Sequence, residues 1–283
     1  MAWHTGQQEL KVENFYSSGV ERYHEYHGGY LSFGYWKRAG ITYVQAAENL
    51  LDLLCAKLNM NENSVLCDVG CGMGAQDFYI LEKSKPKKIE ALDATRIHIH
   101  IAKERALRCG TEEDRISFIY GTALSMPYPD NHFSHLLSVE APEHFNTREK
   151  FFTEAYRVLQ PGGVVVMSDF SMREKPKTLF GRIAIGIVAW LWQVPKANLY
   201  ANALYKEKVE KAGFTNVSIE NIGKDVIPGY YFEHRRPESV REIRAIRGFW
   251  AGVVGGYIID RAIYGIFMSG LCEYILVKAE KPE

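Results

Sequence analysis

The chain has 283 residues, and its 34 Lys plus Arg balance 34 Asp plus Glu, so the formal net charge is zero. That balance, with no cluster of Lys and Arg interleaved with aromatics, excludes nucleic acid as the main partner and gives no reason to expect an anionic membrane as one. With 47% hydrophobic and 24% charged residues, the composition suits one α/β domain plus a lid rather than two full domains.

The first residues, Met1 to Gln7, show no basic stretch followed by an apolar core, so no secretory signal is expected. The five cysteines, Cys55, Cys67, Cys71, Cys109 and Cys272, include no Cys-x-x-Cys pair. This suits a reducing, cytoplasmic setting with free thiols, and no metal site is expected from them. Residues 1–60 are expected to form an N-terminal lid and entry helices. A run dense in aromatics and glycine, Tyr23 to Trp36, precedes a helix expected over 42–58, whose Val44, Ala47, Leu50, Leu51, Leu54 and Leu58 recur at helical spacing.

Residues 61–170 read as a ligand-binding core. Val65-Leu66-Cys67-Asp68-Val69-Gly70-Cys71-Gly72-Met73-Gly74 is an apolar run ending in an acid and then three glycines at alternate positions. A chain leaving a buried parallel strand, turning sharply and entering a helix beneath a ligand favours residues without Cβ. Asp93 follows about twenty residues later, at the end of a second strand, where a ribose hydroxyl pair needs a carboxylate. Two ligands compete for this pair of motifs, a dinucleotide and S-adenosylmethionine. A carboxylate at Asp68 would repel a pyrophosphate but could serve, directly or through water, the charged amino-acid end of S-adenosylmethionine. The third glycine also comes two residues after the second rather than three. Both features favour the sulfonium cofactor.

Alternating elements follow: strands near 64–69, 88–92, 116–120, 133–138 and 163–169, with helices expected over 77–83, 96–108 and 147–159, the last stopped by Pro161-Gly162-Gly163. That alternation is the pattern of a parallel sheet with helices on both faces. Residues 171–212 and 222–270 are left over as helical lid or substrate-binding insertions, and 213–221 and 271–283 as the closing strands, near 215–220 and 271–279. The apolar runs Leu179 to Trp192 and Gly248 to Tyr257 fall short of the roughly twenty residues needed to cross a bilayer, so no transmembrane segment is expected. They suit lid helices that line a pocket for an apolar acceptor or offer a homodimer face.

Four segments carry a family resemblance: Asp68 to Gly74, Ala91-Leu92-Asp93-Ala94, Gly121 to Pro127, and Phe151 to Gly163 with its Ala-Tyr-Arg-Val-Leu-Gln-Pro-Gly-Gly. In these the chain resembles the class I S-adenosylmethionine-dependent methyltransferases of the small-molecule type. The resemblance implies a Rossmann-like α/β fold, a seven-stranded mostly parallel sheet with helices on both faces, an inserted helical lid and an antiparallel last strand. It implies S-adenosylmethionine as cofactor and S-adenosylhomocysteine as product. It places Gly70, Cys71, Gly72 and Gly74 under the methionine part, Asp93 and Ala94 at the ribose and Thr122 and Ala123 along the adenine, with Asp68 and Ser138 completing the cofactor set. Thr122 departs from the acid often found at its place. Phe33-Gly34-Tyr35-Trp36 resembles the segment that closes over the cofactor, where aromatic faces stabilise a sulfonium, so Tyr35 and Trp36 are expected against the substrate.

Catalytic groups are expected at the carboxyl ends of the fourth and fifth strands. His144 is the expected general base, because histidine titrates near neutrality, with Asp169 orienting its ring. Ala141-Pro142-Glu143-His144-Phe145 also resembles the segment of cyclopropane synthases in which a glutamate helps hold a bicarbonate base. That family expects a histidine where this chain has Asp169, and a second carboxylate works against an anion. Glu140 and Glu143 are expected to face the substrate, as acids do in sterol C-methyltransferases. The reading is methyl transfer to an oxygen, nitrogen or carbon of an apolar or aromatic small molecule. Its alternatives are lipid C-methylation and a non-catalytic cofactor-binding subunit.

Overall fold

The computed structural model describes residues 6–17, 27–248 and 260–283. Residues 23–26 of the aromatic run and 249–257 of the second apolar run lie outside the described residues.

Seven strands form one sheet: β1 (Val65–Val69), β2 (Lys88–Asp93), β3 (Ile116–Tyr120), β4 (Phe133–Val139), β5 (Leu159–Ser171), β6 (Thr215–Asn221) and β7 (Glu273–Glu280). Their order is β3-β2-β1-β4-β5-β7-β6. The first five run parallel, and β7 pairs antiparallel with both β5 and β6. The expected strands match within about two residues except β5, which begins at Leu159 rather than 163 because Leu159 pairs with Phe133 ahead of the glycine pair. The order reverses between β1 and β4, which opens a crevice at their carboxyl ends.

Both faces of the sheet are buried, and alternation along each strand feeds two cores. Leu66, Leu137, Val166 and Leu276 pack on one face with Leu50, Leu54 and Leu58. Cys67, Leu136, Val165, Met167 and Ile275 pack on the other with Phe151, Phe152 and Tyr205. The Leu50, Leu54 and Leu58 stripe belongs to the helix Tyr43–Leu58, which starts on a Thr42/Gln45 capping box and ends at Asn59 in the left-handed conformation. Both caps satisfy backbone groups that a helix end otherwise leaves unpaired.

Arg148, at the start of the helix Arg148–Val158, is buried against the second of these cores. Its Nη2 donates to Asp169 Oδ1 at 2.8 Å and its Nε lies 2.7 Å from Oδ2. Nη1 donates to the Asn198 carbonyl at 2.6 Å, and Tyr205 OH donates to Asp169 Oδ2 at 2.8 Å. The pair bolts this helix to the end of β5; each charge is compensated by the other and by these hydrogen bonds, and the guanidinium also lies over the rings of Tyr200 and Tyr205.

Arg148→Ala leaves the Asp169 carboxylate buried without its cation and is expected to cost about 3–5 kcal/mol of stability. Urea unfolding of the two proteins measures this, and a loss under about 1 kcal/mol would show that Asp169 does not depend on the ion pair.

Candidate functional site

A cavity of about 400 Å³ opens at the carboxyl ends of the parallel strands. One half is backbone and small residues. Gly70 turns at φ 84°, and a Cβ there would run into the Cβ of Ala141, so the β1 loop tolerates only glycine at its closest approach to the β4 loop. Asp93 Oδ2 accepts from Gly72 N at 3.0 Å and Oδ1 from Thr95 N at 2.8 Å. Burial raises its proton affinity, but His98 and those two amides outweigh it and hold the carboxyl below its ordinary value. Gly70, Cys71, Gly72, Asp93, Ala94, Thr122 and Ala123 all border the cavity, as expected for the cofactor half.

The other half is aromatic. Phe33 stacks on Tyr230 with ring centroids 3.8 Å apart, meets Trp192 edge-on at 5.5 Å, and shares the wall with Ile227, Tyr231 and Ile263. Glu140 and Glu143 lie on the wall between the halves. Glu140 sits at φ 48°, a strained left-handed conformation for a residue with a Cβ. It is held there because Phe33 N and Tyr274 OH donate to its Oε1 at 2.8 and 2.6 Å. Burial pushes its pKa up to about 8 despite those bonds. Burial, reinforced by Asp169 and Glu140, pushes Glu143 well up, so both acids are protonated at neutral pH.

His144 also borders the cavity, on the short turn Pro142–His144 after β4. Burial lowers its pKa to about 4, against the Gln193 carbonyl, which favours the charged form. The ring is neutral at pH 7. Its Nε2 lies 2.9 Å from Tyr16 OH.

Several expectations need correction. Asp169 does not orient His144: its carboxylate is taken up by Arg148 and Tyr205, and it lies off the cavity wall. Tyr35 and Trp36 are also off the wall. Tyr35 N donates to the Ala46 carbonyl, and Trp36 packs against Gly229, where an added Cβ would collide with its ring. Phe33, two residues before Tyr35, takes the expected aromatic place. Ser138 is fully buried, with Oγ donating to the Val69 carbonyl at 2.6 Å. Gly74 faces Phe118 and Ala102 beneath the helix Ala75–Lys83. Asp68 is buried behind Gln76, whose Nε2 donates to its Oδ2 at 2.5 Å, and only Gln76 reaches the cavity.

The helix Gln7–Ser17 lies within the 1–60 stretch expected to hold entry helices, and none of its residues is among the expected site residues. Its Glu9 and Tyr16 border the cavity. Thr122 Oγ1 donates to Glu9 Oε1 at 3.2 Å, so a carboxylate stands beside Thr122 although none is present in its own segment. Gln8 Nε2 donates to the Gln193 carbonyl at 2.6 Å, and Arg96 N to Glu13 Oε1 at 3.2 Å. These bonds fasten the helix across both halves. The apolar pattern of the 7–17 stretch is short, Val12, Phe15 and Tyr16 at helical spacing, and these with Glu9 are its residues on the cavity wall.

The family described as Methyltransferase domain matches residues 67–167. Erythromycin 3''-O-methyltransferase of Saccharopolyspora erythraea is 30% identical over 269 residues, covering 90% of this chain and 84% of that enzyme. A sterol 24-C-methyltransferase of Pneumocystis carinii is 26% identical, covering 92% of this chain and 68% of that one. The solved structure of a cyclopropane synthase from Mycobacterium tuberculosis superposes with a TM-score of 0.81 at 17% identity, covering 98% of this chain and 99% of the other. At that identity the likeness concerns the fold.

The raised pKa of Glu140 has a thermodynamic consequence. Between its unfolded value of 4.5 and its folded value of about 8, the native state holds a proton that the unfolded state has lost, so this group's contribution to stability declines as pH rises through that window. Glu140→Gln removes the decline. From about pH 5.5 to 7.5 the parent is expected to lose about 1.4 kcal/mol per pH unit more than the variant. Denaturant unfolding at the two pH values tests this, and parallel slopes would contradict it.

Proposed function

The chain belongs to the class I S-adenosylmethionine-dependent methyltransferases, and from that premise we propose an apolar or aromatic acceptor with His144 as general base. It is an enzyme that transfers a methyl group from S-adenosylmethionine to a small molecule. The cavity fits such a cofactor: bare backbone at Gly70 and Gly72, and an ionised Asp93 poised between two loops. Asp93 and Ala94 would hold the ribose, and Thr122, Ala123 and Glu9 the adenine. Glu9 supplies the strong acceptor that the Thr122 hydroxyl alone does not. Gln76, backed by Asp68, would serve the amino-acid end. The cofactor, when bound, supplies an electrophilic methyl group on a good leaving group.

The protein's own part is to align the acceptor and take its proton. The observation that carries the reading is a neutral, buried His144 on the wall between the glycine half and the aromatic half. With Nε2–H donated to the Tyr16 hydroxyl, which fixes the ring, the neutral imidazole would keep its lone pair at Nδ1 to receive a proton from an acceptor hydroxyl or amine. Glu140 and Glu143, protonated, can donate hydrogen bonds to an acceptor oxygen without placing negative charge against it. Phe33, Trp192, Ile227 and Tyr230 offer the acceptor an apolar surface, with His27, His234 and Asp260 as polar groups at its border. Within residues 1–60, 171–212 and 222–270, the described residues that border the cavity at 9–16, 27–33, 191–192, 227–234 and 260–264 would form its lid. Most of the helix Tyr43–Leu58 packs into the sheet core as an entry helix, and the free cysteines suit a cytoplasmic setting.

A second reading, methylation of an alkene carbon, is favoured by the same aromatic wall, since ring faces stabilise a developing cation. The sterol 24-C-methyltransferase relative fits it.

His144→Ala is expected to lower kcat by about a hundred- to ten-thousandfold while leaving the Kd for S-adenosylmethionine unchanged. Single-turnover formation of S-adenosylhomocysteine with apolar hydroxyl acceptors, beside calorimetry, measures both. Full turnover in the variant would remove His144 as base.

A further inference from the structure

The helix Leu179–Leu191 carries one charged residue, Arg182, and is otherwise apolar on both its sides, yet it is buried on only one of them. Gly181, Ile185, Val188 and Ala189 face inward. Leu179, Phe180, Ile183, Ile187 and Trp190 are 53–80% exposed, and at 100° per residue they fall within one stripe along the opposite side. Met268, at the end of the helix Asp260–Met268, is 55% exposed, and Leu271 just beyond it packs beside Gly181. An unbroken row of large apolar side chains on the surface marks a place where something binds.

The charges around the stripe say what. Between residues 173 and 196 stand five exposed cations, Arg173, Lys175, Lys177, Arg182 and Lys196, against the single carboxylate of Glu174, a local excess of four in a chain whose total is zero. A tryptophan and a phenylalanine on the stripe, with cations gathered mainly at one end, are what an interfacial helix needs to sink its apolar side among acyl chains while its cations meet anionic headgroups. At thirteen residues the helix is too short to cross a bilayer, and among the described residues no helix is long and apolar enough to do so.

We propose that the Leu179–Leu191 helix docks the enzyme on the surface of an anionic lipid bilayer, from which an apolar acceptor enters the cavity. The geometry joins the two functions, because the last residue of the helix, Leu191, and the next, Trp192, belong to the cavity wall beside Phe33 and Phe170. The acceptor half of the site therefore begins where the docking helix ends. The purpose assigned to docking rests on the apolar-acceptor reading. The docking itself does not, so loss of methyl transfer without loss of vesicle binding separates the failure of one from the failure of the other.

The test is co-sedimentation of the full chain with vesicles of phosphatidylcholine alone and of phosphatidylcholine with about 30% phosphatidylglycerol. Binding is expected to the anionic vesicles, to weaken as salt rises from about 0.1 to 0.5 M, and to fall at least about tenfold in the triple variant I183S, I187S, W190S. These three side chains lie outside the cavity, so the variant keeps its circular dichroism and its affinity for S-adenosylmethionine. Failure to bind anionic vesicles overturns the proposal, and so does binding that the triple variant retains. A concentration-dependent dimer that the same substitutions disperse, read by light scattering, assigns the stripe to a second copy of the chain and overturns it as well.

Discussion

The site depends first on the hydrogen bonds of one carboxylate. Asp93 ends β2 and binds two backbone amides, Gly72 N in the loop after β1 and Thr95 N before the next helix. Two loops that the sheet only brings near each other are thereby fixed at one separation, and the carboxylate stays ionised in a buried place. The strand order supplies the crevice, Gly70 lets the β1 and β4 loops meet over it, and Asp93 sets its floor. The remaining wall, from Glu140 to His144, follows from how β4 leaves the sheet beside it.

Desolvation then divides the ionisable groups of the crevice. Asp93 remains a carboxylate because three donors surround it, whereas Glu140 and Glu143, with fewer donors, retain their protons. His144 loses its proton for the same reason that the glutamates keep theirs, since burial disfavours whichever form is charged. The result is a wall without net charge opposite an aromatic half, which suits an uncharged acceptor. Asp169 lies off the cavity wall in a buried ion pair with Arg148, and that pair is part of the frame rather than of the chemistry.

Much of the fold was legible because its signals are local. The apolar runs, the glycine loop and the acid at the end of β2 announce themselves within a few residues, and six of the seven expected strands lie within about two residues of their observed limits. The site was legible where backbone makes it and less so where side chains do. Whether Asp169 meets His144 or Arg148 depends on how the helix Arg148–Val158 docks against β5, which no local pattern records. Phe33 rather than Tyr35 or Trp36 reaches the cavity because Gly34 reverses the chain at φ 73° and turns the later pair toward Ala46 and Gly229. The helix Gln7–Ser17 carries only the short apolar set Val12, Phe15 and Tyr16, and its register over the cofactor half is fixed by bonds to residues far along the chain, Glu9 to Thr122 and Tyr16 to His144. Zero net charge likewise concealed the local excess of cations around the exposed apolar helix.

If Glu9 and Tyr16 on the Gln7–Ser17 helix complete the cofactor site, binding of S-adenosylmethionine depends on that helix. Calorimetry of S-adenosylmethionine with the full chain and with a chain lacking residues 1–17 tests it most directly. Binding to the full chain is expected, with an affinity at least about tenfold weaker in the shortened one, equivalent to about 1.4 kcal/mol. Equal affinities would contradict it and leave the glycine loop and Asp93 as the whole of the site.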